Sequence, residues 1–502
     1  MCNFVADLRK TMTENGDKDY GHVLKYTSLF GGVQGLIILI GLVRNKAMAL
    51  LLGADGMGFN ALLTSAQNFA SQCTNLGISQ GAVPRLSVYH EQQQTEQMAY
   101  FVQVIRLWSL LASLLGLVFG LAISPLINDL SFTWGNHTLH YALLAVSVAM
   151  MAITGGEVAI LKATRRLGAL ARIQIATALA GVVISVPLFY YWRHTGVVPA
   201  IVLTSLAGML FTVGYSYHYH PLRLHFERRM FRDGFEMLRL GVAFVLAAAI
   251  GSAAEMAVRS FLNVEGSMDD VGLYNAAFMI TITYAGLVFS AMETDYFPRL
   301  SAVANDVEKT NETVNKQMEV SLLMLSPMLV ALLMMLPVLI PMLFSQQFIA
   351  VTGMAQVAVL AMYFKVLTMP VAYITLARHR SLAFLFLETA YFAVFVAAIV
   401  VGFCQWGIYG TGIAIVVAHV AEFIFVNTYA YRCFSYRFSG AVALSAALQM
   451  MMGAAAFAVS LLTDGLLYWI AEAALVVTST AYSVSVLRKK THLWERLRKK
   501  LR

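Results

Sequence analysis

The sequence predicts an all-α polytopic membrane protein with about fourteen transmembrane helices, arranged as two pseudo-symmetric six-helix lobes plus a C-terminal helix pair. Three observations carry this prediction: the composition, a train of apolar segments and an internal repeat. Hydrophobic residues make up 59% of the 502 residues and charged residues only 12%, against about 25% charged residues in a typical soluble domain. So few charges cannot cover the surface of a soluble protein of this length. The chain is therefore expected to be solvated largely by lipid.

Apolar stretches of about 20 residues follow the polar N-terminal segment at 1–23, and each is long enough to cross a bilayer as a helix. Backbone polar groups in lipid must be bonded within the chain, which favours helices over an open sheet. The predicted helices are 24–44, 57–80, 101–124, 139–161, 167–192, 197–219, 240–262, 270–293, 320–344, 350–376, 381–403, 407–431, 438–462 and 466–487.

The orientation follows from the 35 Lys and Arg residues. With the N-terminus placed inside, 28 of them fall in the terminal segments and the even-numbered junctions, and four lie within helices. The odd-numbered junctions hold only Arg44, Lys46 and Arg193. This distribution predicts that both termini are cytoplasmic. It also indicates a membrane partner and no nucleic acid for the net charge of +8.

The sequence contains an internal repeat whose two copies are related by one constant offset. Gly58 and Pro84 recur as Gly272 and Pro298, and the spacing from Gly to Pro is the same in both copies. The two copies hold the same place in the predicted topology, so helices 1–6 and 7–12 are expected to form equivalent lobes. Two such lobes flanking a cavity are typical of an alternating-access transporter.

The repeat and the charge pattern together define the expected domains. The N-lobe covers 24–219 and the C-lobe covers 240–431, with a basic cytoplasmic loop at 220–239 between them. A further helix pair at 438–487 lies outside the repeat. The tail at 488–502 carries eight Lys or Arg residues beside a stripe of Leu and Trp, which predicts an amphipathic helix on the anionic cytoplasmic leaflet.

Short motifs near the second, eighth and tenth helices carry a family resemblance. They are Leu51-Leu-Gly-Ala-Asp-Gly-Met-Gly58, Pro84-Arg-Leu-Ser87, Val271-Gly-Leu-Tyr274, Tyr296-Phe-Pro-Arg-Leu300, and Lys365 followed by Ala377-Arg-His-Arg380. These motifs resemble bacterial polysaccharide flippases of the Wzx type, which handle O-antigen and enterobacterial antigen. That family belongs to the MATE/MOP transporter superfamily, and the extra helix pair is similar to that of the lipid II flippase MurJ.

The resemblance implies a function in lipopolysaccharide biosynthesis in the bacterial inner membrane. The implied substrate is an oligosaccharide linked to undecaprenyl diphosphate, which moves from the cytoplasmic to the outer leaflet. The implied partners are membrane lipids, H⁺ or Na⁺ as a coupling ion, and a polysaccharide polymerase complex.

Lys365 is the most central charge in the predicted helices, about eleven residues from either end of the tenth. A charge at the bilayer centre costs about 3 kcal/mol, so it needs a compensating role. Pro370 follows five residues later and removes a backbone hydrogen bond, which would open the helix beside the Lys. Lys365 is predicted either to face the cavity and bind an anionic head group or to pair with an acid on a neighbouring helix.

Four arginines are further candidates for head-group binding. Arg259 lies four residues after Glu255 on one helix face, which favours an ion pair with a structural or a transport role. Arg44 has no acid nearby in sequence and either binds substrate or extends to the membrane surface. Arg106 and Arg172 lie about five residues inside the cytoplasmic ends of their helices, where they either form a mouth for phosphates or likewise reach the surface.

The acids in the helices are candidates for ion coupling. Glu388 and Glu422 lie in the cytoplasmic halves of the eleventh and twelfth helices, and His419 precedes Glu422 by three residues. A Glu and a His on one helix face suit a proton or cation site, although a buried His bonded to the backbone is the commoner arrangement. With Glu255 these residues complete the coupling candidates. Glu157 is expected to pair locally with Lys162.

Enzymatic and metal-binding motifs are missing from the sequence, so a transporter without cofactor or metal is expected rather than an enzyme. No P-loop, HExxH or GxSxG is present, and the four cysteines are scattered without a CxxC pair. The alternatives are an ion-coupled MATE-like exporter of cationic drugs, which would need acids in its cavity, and a lipid II flippase. A glycan ligase or polymerase would need a larger external loop, and a scaffold would leave the buried charges unexplained.

Overall fold

The computed structural model describes residues 2–132, 135–221, 227–239, 241–283, 286 and 296–491, with the backbone alone at 2–32, 243, 490 and 491. Over this part the chain is helical and contains no strand. Several predicted segments lie partly outside the described residues: the tail at 488–502, the loop at 220–239 and the helix at 270–293. The all-α prediction is confirmed for the part of the chain that is described.

The helices follow one another in fourteen labelled elements. They are α1 (Cys2–Thr74), α2 (Ile78–Glu91), α3 (Thr95–Ser131), α4 (Thr138–Ala163), α5 (Leu167–Trp192), α6 (Val197–Tyr219), α7 (Arg228–Arg239), α8 (Val242–Glu265), α9 (Met268–Phe278), α10 (Val307–Leu343), α11 (Thr352–Ala377), α12 (Ser381–Phe434), α13 (Gly440–Leu462) and α14 (Gly465–Thr491).

Ten helical stretches are long and apolar enough to cross a membrane in the described part of the chain, which makes this a multi-pass membrane protein. Two of them, Leu167–Tyr219 and Ser381–Phe434, each contain two of the predicted helices, and a third, Val33–Thr74, covers most of the residues of two more. The eighth predicted helix is seen as α9 and a π-helical turn that continues it to Thr283. The count of fourteen crossings stays a prediction.

Two glycines break the longest helices. Gly53 interrupts α1 with φ 74°, and Gly407 interrupts α12 with φ 57°, a region that residues with a Cβ rarely adopt. After Gly407 the chain of α12 turns back on itself and brings Gly402 and Gly410 together. A Cβ added at Gly402 would lie 2.5 Å from the Gly410 carbonyl oxygen. The reverse contact is 1.9 Å, so neither position accepts a side chain. These breaks separate the helices predicted on either side of them.

The first of two compact units comprises Met1–Ala47, Thr74–Phe119 and Leu143–Gly241. Its amphipathic helix α7 lies in the segment predicted as a loop, and it packs on α2 and α3 through backbone contacts. A Cβ at Gly81 would meet the Met237 carbonyl oxygen at 2.0 Å, and one at Gly234 would meet the Trp108 ring at 1.7 Å. The same Trp108 donates its Nε1–H to the Met230 carbonyl over 3.2 Å. Close backbone packing therefore fixes α7 within this unit.

The second compact unit comprises Met48–Cys73, Gly120–Ala142 and Val242–Arg502. It contains stretches that the repeat assigns to the N-lobe, so the lobe boundaries stay a prediction. Within it α10 packs against α11, α13 and α14. Pro337 inside α10 has no N–H for the Leu333 carbonyl, and the Tyr468 hydroxyl of α14 donates to this carbonyl at 3.3 Å and to that of Met334 at 2.9 Å. The C-terminal helix pair thus satisfies carbonyl oxygens in α10.

α1 and α9 cross within the second unit at the two repeated glycines. A Cβ at Gly58 would lie 2.1 Å from the Met268 carbonyl oxygen, and a Cβ at Gly272 would lie 1.9 Å from that of Ala54. Ala54 and Met268 are themselves related by the offset of the repeat, so the contact is reciprocal. This reciprocity is what a local two-fold relation between the two copies requires.

Candidate substrate and ion site

Lys365 lies half-buried on α11, which is continuous through Pro370. The expected opening of the helix at Pro370 is not seen. Instead the Tyr296 hydroxyl donates to the Pro370 carbonyl over 2.6 Å, and Thr368 donates to the Phe364 carbonyl over 2.8 Å. These bonds hold a regular helix around the Lys. Lys365 is therefore presented by an unbroken helix.

Lys365 makes no ion pair within 4.0 Å among the residues that the structure describes. It interacts at longer range with the carboxyl groups of Glu388 and Glu422 and with His419, all on α12. The two arms of α12, folded back at Gly407, bring these three residues together. One cation thus faces two carboxyl groups without a direct bond to either.

His419 and Glu422 have unused polar atoms in this group. The His419 ring is 1% exposed; its Nδ1 lies 2.9 Å from the Ile415 carbonyl, and its Nε2 has no partner among the described residues. Oε2 of Glu422 is also buried without a hydrogen bond. A backbone-bonded His was one of the two arrangements left open by the sequence. Here His419 keeps one free ring nitrogen in addition.

Tyr391 connects these side chains to a second charged pair. Its ring packs edge-on against His419 at 5.4 Å between centroids, and it interacts electrostatically with Glu388, Glu422 and Glu255. Sequence reasoning missed Tyr391, although its position one helical turn after Glu388 was a usable signal. The polar group on α12 and the pair on α8 are therefore neighbours.

The predicted ion pair on α8 is confirmed. The Nη1 atom of Arg259 lies 3.0 Å from Oε2 of Glu255 and 3.2 Å from its carbonyl oxygen. On the other side, Nη2 donates to Oδ1 of Asn275 on α9 over 3.4 Å, and the guanidinium lies 6.0 Å from the Phe278 ring centroid. Arg259 is buried, and its Nε has no partner in the described part of the chain.

Arg44 belongs to the first unit, where it lines a cavity of about 490 Å³. The cavity wall is mostly apolar, with Gln34, Gln174 and Thr154 among its few polar side chains. The Nε atom of Arg44 is buried without a hydrogen-bond partner among the described residues. Arg44 therefore lines a cavity within the protein, with its Nε atom buried, rather than extending to the membrane surface.

Arg106 is fully engaged by its own unit. Its Nε lies 2.8 Å from Oε1 and its Nη2 lies 3.3 Å from Oε2 of Glu157, and Nη2 also donates to the His220 carbonyl over 2.8 Å. The expected pairing of Glu157 with Lys162 is replaced by this pair between α3 and α4. Arg172, by contrast, is exposed; its Nε donates to the Gly168 carbonyl over 3.3 Å, and its guanidinium lies 6.0 Å from the Tyr215 ring centroid.

The structure thus gathers six of the nine sequence-predicted site residues in the second unit. They are Lys365, Arg259, Glu255, Glu388, Glu422 and His419. The other three, Arg44, Arg106 and Arg172, occupy separate places in the first unit. The described residues form no group of three or more His, Cys, Asp or Glu side chains able to hold a metal ion.

Solved structures with a similar fold are membrane transporters. The lipid II flippase MurJ in an inward closed conformation matches with a TM-score of 0.71 and 12% identity, covering 92% of this chain and 99% of its own. An inward-facing multidrug resistance MATE family transporter of the MOP superfamily matches with a TM-score of 0.62 and 14% identity, over 78% of this chain and 94% of its own. A MOP superfamily transporter from Pyrococcus furiosus matches with a TM-score of 0.56 and 15% identity, over 82% and 97%.

No curated protein sequence matches this chain. The family model of polysaccharide biosynthesis proteins matches residues 47–353, which is more than half of the chain. The matched region holds both copies of the repeated motif and the Arg259 pair. The chain therefore belongs to the polysaccharide biosynthesis protein family, on the fold shared by the MOP superfamily transporters.

Proposed function

We propose that this protein is a flippase that carries an undecaprenyl-diphosphate-linked oligosaccharide from the cytoplasmic to the outer leaflet of a bacterial inner membrane. It would work by alternating access of two lobes, 24–219 and 240–431, with both termini in the cytoplasm. Membership of the polysaccharide biosynthesis family and a fold shared with a lipid flippase support this proposal. A polysaccharide polymerase complex is the partner that would receive the product.

One observation carries the proposal. Lys365 is a half-buried cation in a membrane-spanning helix and lacks a direct ion pair with any described residue. A diphosphate brings about two negative charges, and moving it into a medium of low dielectric is costly unless cations replace its water. Lys365 has an ammonium group free to do so. In the other direction, the arriving phosphates compensate the cost of burying Lys365.

The arginines would serve other stages of the same route. Arg44 has an unbonded Nε in a cavity, and Arg172 is exposed, so both are free to meet a head group. Arg259 and Arg106 are already bonded to Glu255 and Glu157, so a phosphate would have to displace a carboxylate there. We therefore assign primary binding to Lys365 and an exchange of partners to Arg259 and Arg106.

The carboxyl groups beside Lys365 would couple transport to H⁺ or Na⁺. Glu388 and Glu422 face the same cation that the phosphates need. A phosphate and an ionised carboxylate repel each other, so substrate binding favours protonation of these acids or binding of a cation to them. His419, through its free Nε2, and Glu255, through Tyr391, would join this exchange.

The Lys365 variants test this function. We expect Lys365→Ala to abolish glycan export at unchanged protein level, because no cation then compensates the diphosphate. Lys365→Arg should retain part of the export, since Arg keeps the charge but differs in shape and hydration. Lys365→Glu should be no better than Ala. Export of surface glycan and the amount of folded protein in the membrane are measured together.

The matched control is Lys162→Ala, which removes an exposed lysine at the end of α4 and should export normally. Normal export by a stable Lys365→Ala protein would remove Lys365 from the mechanism.

A second candidate is an ion-coupled exporter of organic cations. The observation that favours it is the set of three acids, Glu255, Glu388 and Glu422, around Tyr391. This function requires those acids and not Lys365. Full drug resistance in the Lys365→Ala strain, lost in Glu422→Gln, would favour the exporter over the flippase.

A further inference from the structure

The chain builds the same tight turn twice, once in each copy of the repeat. Arg165 has φ 54° after α4, and His379, which corresponds to it by the offset of the repeat, has φ 55° after α11. The backbone hydrogen bonds also correspond: the N–H of Arg166 donates to Leu161 over 2.9 Å, and that of Arg380 donates to Thr375 over 2.7 Å. The two turns are therefore equivalent positions in one supersecondary unit.

The counter-charge at this turn differs between the copies. In the first copy the Arg165 guanidinium forms an ion pair with Glu91. The same offset places Asn305 in the second copy where Glu91 stands in the first, so a neutral amide replaces a carboxylate. At this position the second turn thus has no carboxylate corresponding to Glu91.

A cavity of about 320 Å³ occupies this place in the second copy. It is lined by Ser301, Asn305, Arg378, His379, Arg380 and Cys433, together with three apolar residues. No acidic residue is among the lining residues that the structure describes. Two arginines around one polar cavity repel each other unless an anion is present. The lining supplies N–H and O–H donors around a positively charged opening.

Arg378 is held ready for such an anion. Its Nε donates to the Ala304 carbonyl over 2.8 Å, and its guanidinium lies over the Phe434 ring at 5.0 Å. These contacts use one N–H and one face of the group, and the described residues provide no bond to its Nη atoms. A guanidinium fixed in this way binds phosphate oxygens with little loss of conformational freedom.

We propose that this cavity binds a phosphate group, which takes the place of the Glu91 carboxylate. Arg378 and Arg380 would supply the charge, and Ser301 and Asn305 would donate hydrogen bonds. The phosphate has two possible sources, the head group of an anionic phospholipid and free inorganic phosphate. The site is independent of translocation and of Lys365, so its test does not depend on the proposed transport function.

The decisive experiment inserts the missing carboxylate. Full-length protein in phosphatidylcholine nanodiscs doped with phosphatidylglycerol is compared as wild type, Asn305→Glu and Asn305→Gln. Retained phosphatidylglycerol is counted by native mass spectrometry. Asn305→Glu should reduce retention about tenfold relative to Asn305→Gln, which has the same size without the charge. A second arm measures binding of inorganic phosphate to the same three proteins in neutral detergent.

The two arms identify the source of the phosphate. Loss of phosphatidylglycerol alone in Asn305→Glu assigns the site to a lipid, and loss of inorganic phosphate as well assigns it to the phosphate group itself. The proposal would be overturned if Asn305→Glu and Asn305→Gln bound each probe equally well. It would also be overturned if the wild-type protein bound neither probe.

Arg380→Gln removes a charge at an exposed position and covers the case in which Asn305→Glu does not fold. It must weaken the same binding, whereas Arg165→Gln in the first copy must leave it unchanged. Wild-type binding by Arg380→Gln would also overturn the proposal.

Discussion

Arg106 is a charged residue in a membrane-spanning helix that the protein compensates completely. Glu157 accepts from both sides of its guanidinium and also accepts a hydrogen bond from the Ser216 hydroxyl at 2.5 Å. The sequence alone suggested Lys162 for Glu157. Five residues turn a helix by about 140° beyond one full turn, so Lys162 faces away from Glu157. The partner that the structure shows, Arg106, lies on another helix.

Breaking this pair should destabilise the protein. We expect Glu157→Gln to lower the melting temperature in detergent strongly, because removing one partner of a buried ion pair costs about 3–5 kcal/mol. Replacing both partners, as in Arg106→Gln with Glu157→Gln, should cost less than the sum of the single changes. Lys162→Ala is the control. A melting temperature that falls equally in Lys162→Ala would contradict the pairing.

The ion pair between positions four apart on one helix was predictable from the sequence, and the contacts between distant segments were not. The Glu255–Arg259 pair was found because positions four apart always share a helix face. The approach of Tyr391 to His419 depends on how α12 folds back, which no spacing within one helix encodes. The same limit applies to Arg378, whose bond to the Ala304 carbonyl joins two segments far apart in sequence.

The crossing of α1 and α9 shows how helices use small residues to approach closely. In a membrane, association depends on packing because lipid removes the hydrophobic driving force between helices. Gly58 and Gly272 each face the backbone of the other helix, with no space for a Cβ. The spacing of these glycines was read from the sequence, and their mutual contact was not.

Adding one methyl group at this crossing should loosen it. We expect Gly58→Ala and Gly272→Ala each to lower stability by about 1–3 kcal/mol, because the new Cβ would overlap a carbonyl oxygen and force the helices apart. Gly214→Ala on α6 is the control, since a Cβ there meets nothing within 4 Å. The measurement is the melting temperature of each purified variant. Equal temperatures for Gly58→Ala and Gly214→Ala would refute the crossing.

Helix ends were less predictable than helix cores. The second predicted helix was extended to residue 80, but the left-handed Gly77, at φ 67°, ends it after Thr74 and a separate α2 carries Pro84. Likewise, the predicted loop at 220–239 contains α7, whose apolar residues are spaced to one face. A short amphipathic helix lacks the long apolar segment by which membrane-spanning helices are predicted.

The orientation predicted for the chain in the membrane rests on its basic residues. The 28-to-3 distribution of Lys and Arg is a property of the sequence, and the described helices supply junctions where it can be checked. The first turns of α10 hold Lys309 and Lys316 among several acids, and α12 ends beside Arg432, whereas α8 ends at the acidic Glu265.

Reporter fusions test this orientation directly. Fusions after Asn311 and Arg437 should report a cytoplasmic location, and fusions after Val264 and Asp464 an external one, because basic loops stay on the cytoplasmic side. Alkaline phosphatase and a fluorescent protein are used in parallel at each site. Reversal at any single position would break the proposed count of crossings.

Fold class and repeat were accessible from the sequence because both are written in periodic patterns. The composition indicates that the chain is surrounded by lipid, and the length of the apolar segments predicts membrane-spanning helices. The constant offset of the repeat marks Gly58 and Gly272 as equivalent. Which segments belong to each compact unit depends instead on packing between parts of the chain that are distant in sequence. For this reason residues 48–73 group with residues after 242, which the sequence pattern did not predict.

The hydrogen bonds from Tyr468 to the carbonyls beside Pro337 make α10 dependent on the C-terminal helices. A proline in a lipid-embedded helix leaves an acceptor that water cannot reach, so some other group must satisfy it. Here that group is supplied by the last helix. The C-terminal pair is consequently part of what α10 needs in order to lie in lipid. Without α14, the carbonyl groups beside Pro337 would lose the hydroxyl that satisfies them.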